Sequence, residues 1–146
     1  MSKTGAQRAR RLAGMDNDMQ ISPKLVVGDA TAAIAFMVEV VGATEGPVFR
    51  QGGAVQHATV HLGGRAFSLK DADEHDPAPT PGAIIEVTCA DPDAVAERAI
   101  ARGAEVVFPV ADQPYGPRAG RLVDPWGTQW LLSTPVTMTP EEFAEL

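Results

Sequence analysis

The stretch LVVGDATAAIAFMVEVVGA, residues 25–43, returns in outline as IIEVTCADPDAVAERAIARGA, residues 84–104. In both copies a short run rich in β-branched residues, typical of a strand, precedes an aspartate, Asp29 or Asp91. An aspartate at this point is suited to cap a helix, because its side-chain oxygen accepts a free amide hydrogen of the first turn. Apolar residues then recur three and four positions apart, as in an amphipathic helix. Each copy is therefore predicted to be a strand followed by a helix.

Glycines mark the rest of each copy. The helices are predicted to end at Gly42 and Gly103, because glycine readily adopts the left-handed conformation that ends many helices. Three strand-like runs follow each helix, and a short turn with Gly64 or Gly127 joins the last two. The turn glycines lie 63 residues apart and the capping aspartates 62, which indicates an internal repeat. The predicted fold is α+β, with two βαβββ units that form cupped mixed sheets.

Linker-like and helix-start stretches also predict how the chain is divided into segments. The acidic, proline-rich stretch DADEHDPAPTP, residues 71–81, is typical of a linker, and Thr139-Pro140-Glu141-Glu142 of a helix start. The predicted segments are a flexible basic N-terminal arm (1–19), a first βαβββ unit (20–71), a linker (72–81), a second βαβββ unit (82–134) and a short C-terminal helix (135–146).

Composition excludes several classes of protein. The net charge of −7 disfavours nucleic-acid binding, since an acidic surface repels phosphates. No apolar run approaches the roughly 20 residues that span a bilayer, and the N-terminus lacks the apolar segment of a secretory signal. We therefore expect a cytoplasmic protein without a membrane partner. The single cysteine, Cys89, is expected to pack as a small apolar residue.

Alternation along the strands predicts two different sheet faces. One face is apolar and is expected to lie under the helices. The other, which we call the mixed face, carries polar and apolar side chains together: His57, Thr59, His61, Ser68, Glu86, Gln129 and Leu131. A ligand cavity needs this combination, since apolar area supplies affinity and a few polar groups supply orientation. The alternative is that the mixed face meets only solvent or another subunit.

Two stretches resemble a known family. VVGD at 26–29, followed by AAIAF at 32–36, is similar to the first unit of the vicinal oxygen chelate superfamily, which includes glyoxalase I, bleomycin-resistance proteins and extradiol dioxygenases. GRLVDPWGTQW, residues 120–130, resembles the closing hairpin of that superfamily, and is closest to its PhnB-like subgroup. The resemblance covers roughly residues 20–146.

The resemblance implies positions for a metal, because enzymes of this superfamily bind a divalent ion through His, Gln or Glu on the first and last strands of each unit. Carried over by motif spacing, these positions hold Ser22, Ser68, Ile84 and Leu131. None is a usual ligand, and Ile84 and Leu131 have no donor atom. We therefore expect no metal and no cofactor.

The superfamily also includes proteins that sequester antibiotics without a metal, and the chain is predicted to be such a small-molecule-binding protein, active as a homodimer. Arg121 and Arg118 are each suited to a carboxylate or phosphate of the ligand, and equally to plain solvation. Aromatic residues at turns or strand ends are predicted to line a cleft mouth: Trp126, Tyr115, Phe49 and Phe108. The predicted ligand-binding residues are His57, Thr59, His61, Ser68, Glu86, Tyr115, Arg121, Trp126, Gln129 and Leu131.

Two other hypotheses remain open. The first is a metal-dependent lyase, isomerase or dioxygenase with atypical ligands, for which Glu86 and His61 are the candidate catalytic residues and His57 a further ligand. The second is a protein whose mixed face serves only as a dimer interface.

Overall fold

The computed structural model describes residues 4–13 and 19–146. The strands are β1 (Lys24–Val27), β2 (Thr44–Gln51), β3 (Ala54–Leu62), β4 (Arg65–Asp71), β5 (Ile84–Thr88), β6 (Glu105–Asp112), β7 (Arg118–Val123) and β8 (Gln129–Ser133). The helices are α1 (Gly5–Ala13), α2 (Ala30–Val41), α3 (Pro92–Ala101) and α4 (Pro140–Ala144). None of these helices is long and apolar enough to cross a membrane.

The strands form two four-stranded sheets of the same design. The first has the order β1-β4-β3-β2 and the second β5-β8-β7-β6. In each sheet the pair that contains the first strand is parallel and the other pairs are antiparallel. The predicted α+β fold of two βαβββ units with mixed sheets is confirmed.

The aspartates cap their helices as the sequence predicts. Asp29 Oδ1 accepts a hydrogen bond from the Ala32 amide at 3.0 Å, and Asp91 Oδ1 accepts one from Ala94 at 3.1 Å. Gly42 ends α2 in the left-handed conformation, with φ at 75°. Both helices therefore begin at residues that satisfy their free amides.

At the end of the last strand of each unit, a side chain accepts hydrogen bonds from backbone amides, and the two side chains occupy equivalent positions of the repeat. The Asp71 carboxylate accepts the amides of Ala30 at 2.8 Å and Val55 at 2.7 Å. Sixty-three residues later, Thr134 Oγ1 accepts the amide of Arg118 at 3.0 Å. One acceptor atom suffices in the second unit, because Pro92 stands where the first unit has Ala30 and a proline has no amide hydrogen.

Part of the predicted N-terminal arm is helical, because residues 5–13 form α1. Thr4 Oγ1 accepts the amide of Gln7, and the Gln7 side chain accepts the amide of Thr4, both at 3.2 Å. This reciprocal cap begins a segment of alanine, arginine and leucine, which favour helix. Residues 1–3 and 14–18 of the predicted arm lie outside the described residues.

The two units share one apolar core beneath their helices. Phe36 of α2 is 2% exposed, and its ring lies 5.8 Å from that of Trp126 and 6.3 Å from that of Trp130, centroid to centroid. Arg98 of α3 donates from Nε and Nη2 to the Val40 carbonyl of α2, at 3.1 and 3.0 Å. These contacts hold the helices of the two units together.

Candidate functional site

The second sheet carries a row of four side chains on its mixed face. Glu86 of β5 pairs with Leu131 of β8, Leu131 with Arg121 of β7, and Arg121 with Phe108 of β6. We call these four residues the Arg121 row. The opposite face of the same strands is buried, with Leu122 only 2% exposed. The row therefore lies on the side of the sheet away from the helices, as strand alternation predicts.

Arg121 is half-buried in the row and has few partners. Its guanidinium carbon lies 5.6 Å from the centroid of the Phe108 ring, within cation–π range. Nη1 lies 3.5 Å from the side-chain oxygen of Gln129, at the limit of a hydrogen bond. Nε is buried and has no hydrogen-bond partner in the part of the chain that the structure describes. Arg121 belongs to none of the ion pairs formed within residues 4–13 and 19–146. Its guanidinium thus keeps unused capacity to donate hydrogen bonds.

Arg118, the other arginine of β7, is fully engaged. Its Nε and Nη2 donate to the two oxygens of Asp93 at 2.6 and 2.9 Å, and its Nη1 lies 3.3 Å from Asp112. The guanidinium lowers the pKa of Asp93, and the two carboxylates, Asp93 first, raise the pKa of Arg118. Arg118 therefore joins β7 to α3.

The mixed face of the first sheet brings together a second group of predicted residues. Thr59 of β3 pairs with Ser68 of β4, which pairs with Lys24 of β1. Lys24 Nζ lies 3.0 Å from His57 Nδ1, and His57 Nε2 lies 3.4 Å from the Thr59 hydroxyl. His61, two residues further along β3, is exposed. The predicted residues of this sheet thus form one polar cluster plus an exposed histidine.

A cavity of about 550 Å³ lies where the two units meet. Of the ten predicted ligand-binding residues, only Glu86 lines it. The sequence did not point to its two arginines, Arg65 and Arg98, because they come from different units. Cys89 also lines it, and burial raises the pKa of its thiol, which disfavours the reactive thiolate. The full lining is Val41, Gly42, Leu62, Gly63, Arg65, Phe67, Ile85, Glu86, Val87, Thr88, Cys89, Val95 and Arg98.

Two of the four aromatic residues predicted at a cleft mouth lie elsewhere. Trp126 lies on the helix side, edge-on to Phe36, and lines a cavity of about 420 Å³ between α2 and α3. Tyr115 lies against Phe143 of α4, with the ring centroids 6.2 Å apart. The structure therefore does not bring either ring into the Arg121 row.

A buried carboxylate holds the turn that carries Trp126. Asp124 Oδ1 accepts the amides of Trp126 and Thr128 at 2.9 and 3.0 Å, and Oδ2 accepts the indole Nε1–H of Trp130 at 2.9 Å. Burial raises the pKa of Asp124, and these donors oppose that effect. The carboxylate joins the turn to Trp130 of β8, the strand that also carries Leu131.

The fold and the closing hairpin agree with a family comparison. A model of the Glyoxalase/Bleomycin resistance protein/Dioxygenase superfamily matches residues 20–132, which include both units. The chain belongs to this superfamily. The predicted resemblance is thereby confirmed.

Known members extend the comparison. An uncharacterized protein of Mycobacterium bovis is 36% identical over 126 residues, which cover 80% of this chain and 83% of that protein. A PhnB protein from Bacillus cereus has a similar structure, with a TM-score of 0.66 and 23% identity over 80% of this chain and all of that one. The fosfomycin resistance protein FosX from Listeria monocytogenes, in complex with Mn(II) and sulfate, has a TM-score of 0.61 and 17% identity over 87% of this chain and 98% of that one. These structures share the fold of this superfamily member.

The residues present do not fit the divalent metal that the superfamily implies. Ser22 Oγ donates to the Ala66 carbonyl at 3.2 Å, and Ser68 Oγ lies 3.4 Å from the Pro23 carbonyl. Ile84 and Leu131 offer no donor atom. In the part of the chain that the structure describes, no three His, Cys, Asp or Glu side chains are grouped to hold an ion. The alternative ligands are also separated, since His57 and His61 lie about 13 Å apart along β3 and Glu86 is in the other sheet.

Proposed function

We propose that this superfamily member binds a small organic molecule on the mixed face of its second sheet, without a metal. The observation that carries the proposal is the Arg121 row, in which charged and apolar side chains alternate across four strands on the side away from the helices. Such a surface offers apolar area for affinity and a few polar groups for orientation. The donor set at the family's metal positions supports binding without an ion.

We propose further that a second copy of the chain covers this face. Ile84 beside the row is 51% exposed, and Phe49 on the mixed face of the first sheet is 59% exposed. Large apolar side chains exposed on the mixed faces favour association, because covering them removes apolar surface from water. A homodimer would enclose a ligand that lies open on a single chain. Sequestration of a drug or metabolite is the use that this arrangement fits.

Amide chemical shifts test the proposal. A mixture of small aromatic compounds is titrated into the 15N-labelled protein, and we expect the amides of Phe108, Arg121 and Leu131 to shift. The amides of α2 serve as the internal control and should stay in place. If shifts are confined to α2, or to the cavity where the units meet, the proposed site is wrong.

Metal dependence has its own test. Adding Zn²⁺ or Ni²⁺ to the purified protein should leave its thermal midpoint unchanged, because the side chains at the family's metal positions offer no ligand set. Elemental analysis of protein purified without chelators is the second measurement. About one equivalent of a transition metal per chain would contradict the proposal and favour a metal-dependent enzyme.

A further inference from the structure

Arg121 is a half-buried cation whose charge and hydrogen-bonding groups are only partly used. Among the described residues its buried Nε has no partner, and its side chain makes one hydrogen bond, the long contact to Gln129 at 3.5 Å. A buried donor without an acceptor costs stability, so an orphaned group in a native protein calls for an explanation. Within the described residues, Nη2 of the same guanidinium also makes no hydrogen bond and, unlike Nε, is not buried, so it is the nitrogen that a ligand can reach.

The other arginine of β7, Arg118, is fully paired with carboxylates. Arg118 has two carboxylates, with contacts from 2.6 to 3.3 Å. Arg121 is three residues away on the opposite face of the strand and has no carboxylate partner among the ion pairs of the described residues. The two arginines differ in what lies opposite them. Asp93 of α3 pairs with Arg118, whereas Arg121 lies on the open mixed face.

The surroundings of Arg121 also orient its guanidinium. The Phe108 ring lies against it at 5.6 Å, and the Gln129 side chain lies at one end. A planar guanidinium held in this way presents parallel N–H groups that match the two oxygens of a carboxylate. Leu131 lies beside it in the row and provides an apolar surface for a flat ring.

Charge selects among anions. The chain carries a net charge of −7, and Glu86 lies in the same row two strands from Arg121, about 10 Å away at the usual strand spacing. A second negative charge on the ligand would be repelled by this carboxylate and by the acidic protein. A hydroxyl or amine at the far end of the ligand could instead donate a hydrogen bond to Glu86.

We infer that Arg121 binds the carboxylate of a small, flat monoanionic ligand, whose ring lies over Leu131 and whose far end reaches toward Glu86. The inference rests on the proposed ligand binding at this face and names the class of ligand. It is carried by the unpaired Nη2, the Phe108 ring beside the guanidinium and the lack of an ion-pair partner within residues 4–13 and 19–146, in contrast to Arg118.

The binding test uses 4-hydroxybenzoate, its neutral amide and phenyl phosphate as probes. Calorimetry supplies the dissociation constant, and the amide shifts of Phe108 and Leu131 locate the site. We expect Arg121→Met to raise the dissociation constant of 4-hydroxybenzoate about ten-fold or more, because the substitution removes a charge-assisted two-point contact. Arg121→Lys keeps the charge without the two-point geometry, so its affinity for 4-hydroxybenzoate should lie between those of the unaltered chain and Arg121→Met. The matched control is Arg50→Met, in the other unit, which should bind as the unaltered chain does.

Stability gives a second readout that separates a binding residue from a structural one. Methionine retains the straight apolar stem of arginine and removes the orphaned N–H. Arg121→Met should therefore keep or raise the thermal midpoint. A clear fall in the midpoint would mean that Arg121 stabilises the fold, which contradicts the inference.

The outcomes separate the two proposals. If 4-hydroxybenzoate shifts the row equally in the unaltered chain and in Arg121→Met, the face binds ligands but Arg121 is not the anchor. If phenyl phosphate binds this face more tightly than the carboxylate, the ligand class is wrong. If no probe, charged or neutral, shifts the row, the proposed function itself fails.

Discussion

Arg118 and Arg121 show how one strand gives two identical side chains different environments. Successive side chains of a strand point to opposite faces, so residues three apart never share one. Arg118 meets the carboxylate of Asp93 in the first turn of α3, while Arg121 meets the ring of Phe108 on the mixed face. The first arginine stabilises the contact between sheet and helix, and the second remains available to a ligand.

The ion pair between Arg118 and Asp93 predicts a dependence of stability on pH. The pair holds the pKa of Asp93 below its ordinary 3.8, so its stabilisation is present above about pH 4 and is lost as the pH falls through the folded-state pKa. Asp93→Asn should be less stable at pH 7 and lose less stability on acidification. Urea midpoints measured between about pH 7 and pH 2.5 check this.

Asp112→Asn is the matched control, because Asp112 contacts the same guanidinium at 3.3 Å but its side chain is 87% exposed. A surface ion pair of this kind contributes little. We expect the acid response of this variant to match that of the unaltered chain. Equal acid responses in Asp93→Asn and Asp112→Asn would show that the Asp93 contact does not stabilise the fold.

The hairpin of β6 and β7 depends on a glycine. The register shifts between the pair Phe108–Arg121 and the pair Ala111–Ala119, so two residues of β6 lie opposite Gly120. A Cβ at Gly120 would lie 2.6 Å from the backbone nitrogen of Val110 and 2.7 Å from its Cα. Only glycine allows the bulged strand to approach this closely. The bulge lies next to the Phe108–Arg121 pair and so helps to set its position.

Gly120→Ala should therefore destabilise the protein by about 1–3 kcal/mol, the usual cost of overpacking. It should also weaken binding at the Arg121 row by displacing Phe108. Gly28→Ala is the control, since a Cβ there meets nothing within 4 Å. Chemical denaturation measures both variants. Similar unfolding free energies for the two would mean that the strands adjust without cost.

At the scale of the whole molecule, the exposed apolar side chains of the mixed faces predict self-association. Ile84→Glu should shift the protein from dimer to monomer, because a buried, unpaired carboxylate would oppose the interface. Val136→Glu is the matched control, with a similar exposure of 54% in the C-terminal segment. Sedimentation velocity measures the oligomeric state. An unaltered chain that is monomeric at micromolar concentration would contradict the proposed homodimer.

The duplicated architecture depends on local chemistry. Aspartates at helix starts, glycines at helix ends and turns, and alternation along strands each act within a few residues, so they are readable from the sequence. The same signals predict that Glu86, Gln129 and Leu131 share one face, and the register confirms that placement and adds Arg121 to the face. Helix α1 was missed although its cap is local, because the arginines near Thr4 suggested a solvated arm.

The sequence by itself therefore determined the two units, their superfamily and the residues of the mixed face. Only the tertiary structure decided that Arg118, and not Arg121, forms an ion pair with Asp93. It also decided that Trp126 packs on Phe36 of the other unit, and that Arg65 and Arg98 line one cavity. These are contacts between residues distant in sequence. No local pattern encodes them, because they depend on how the two units pack against each other.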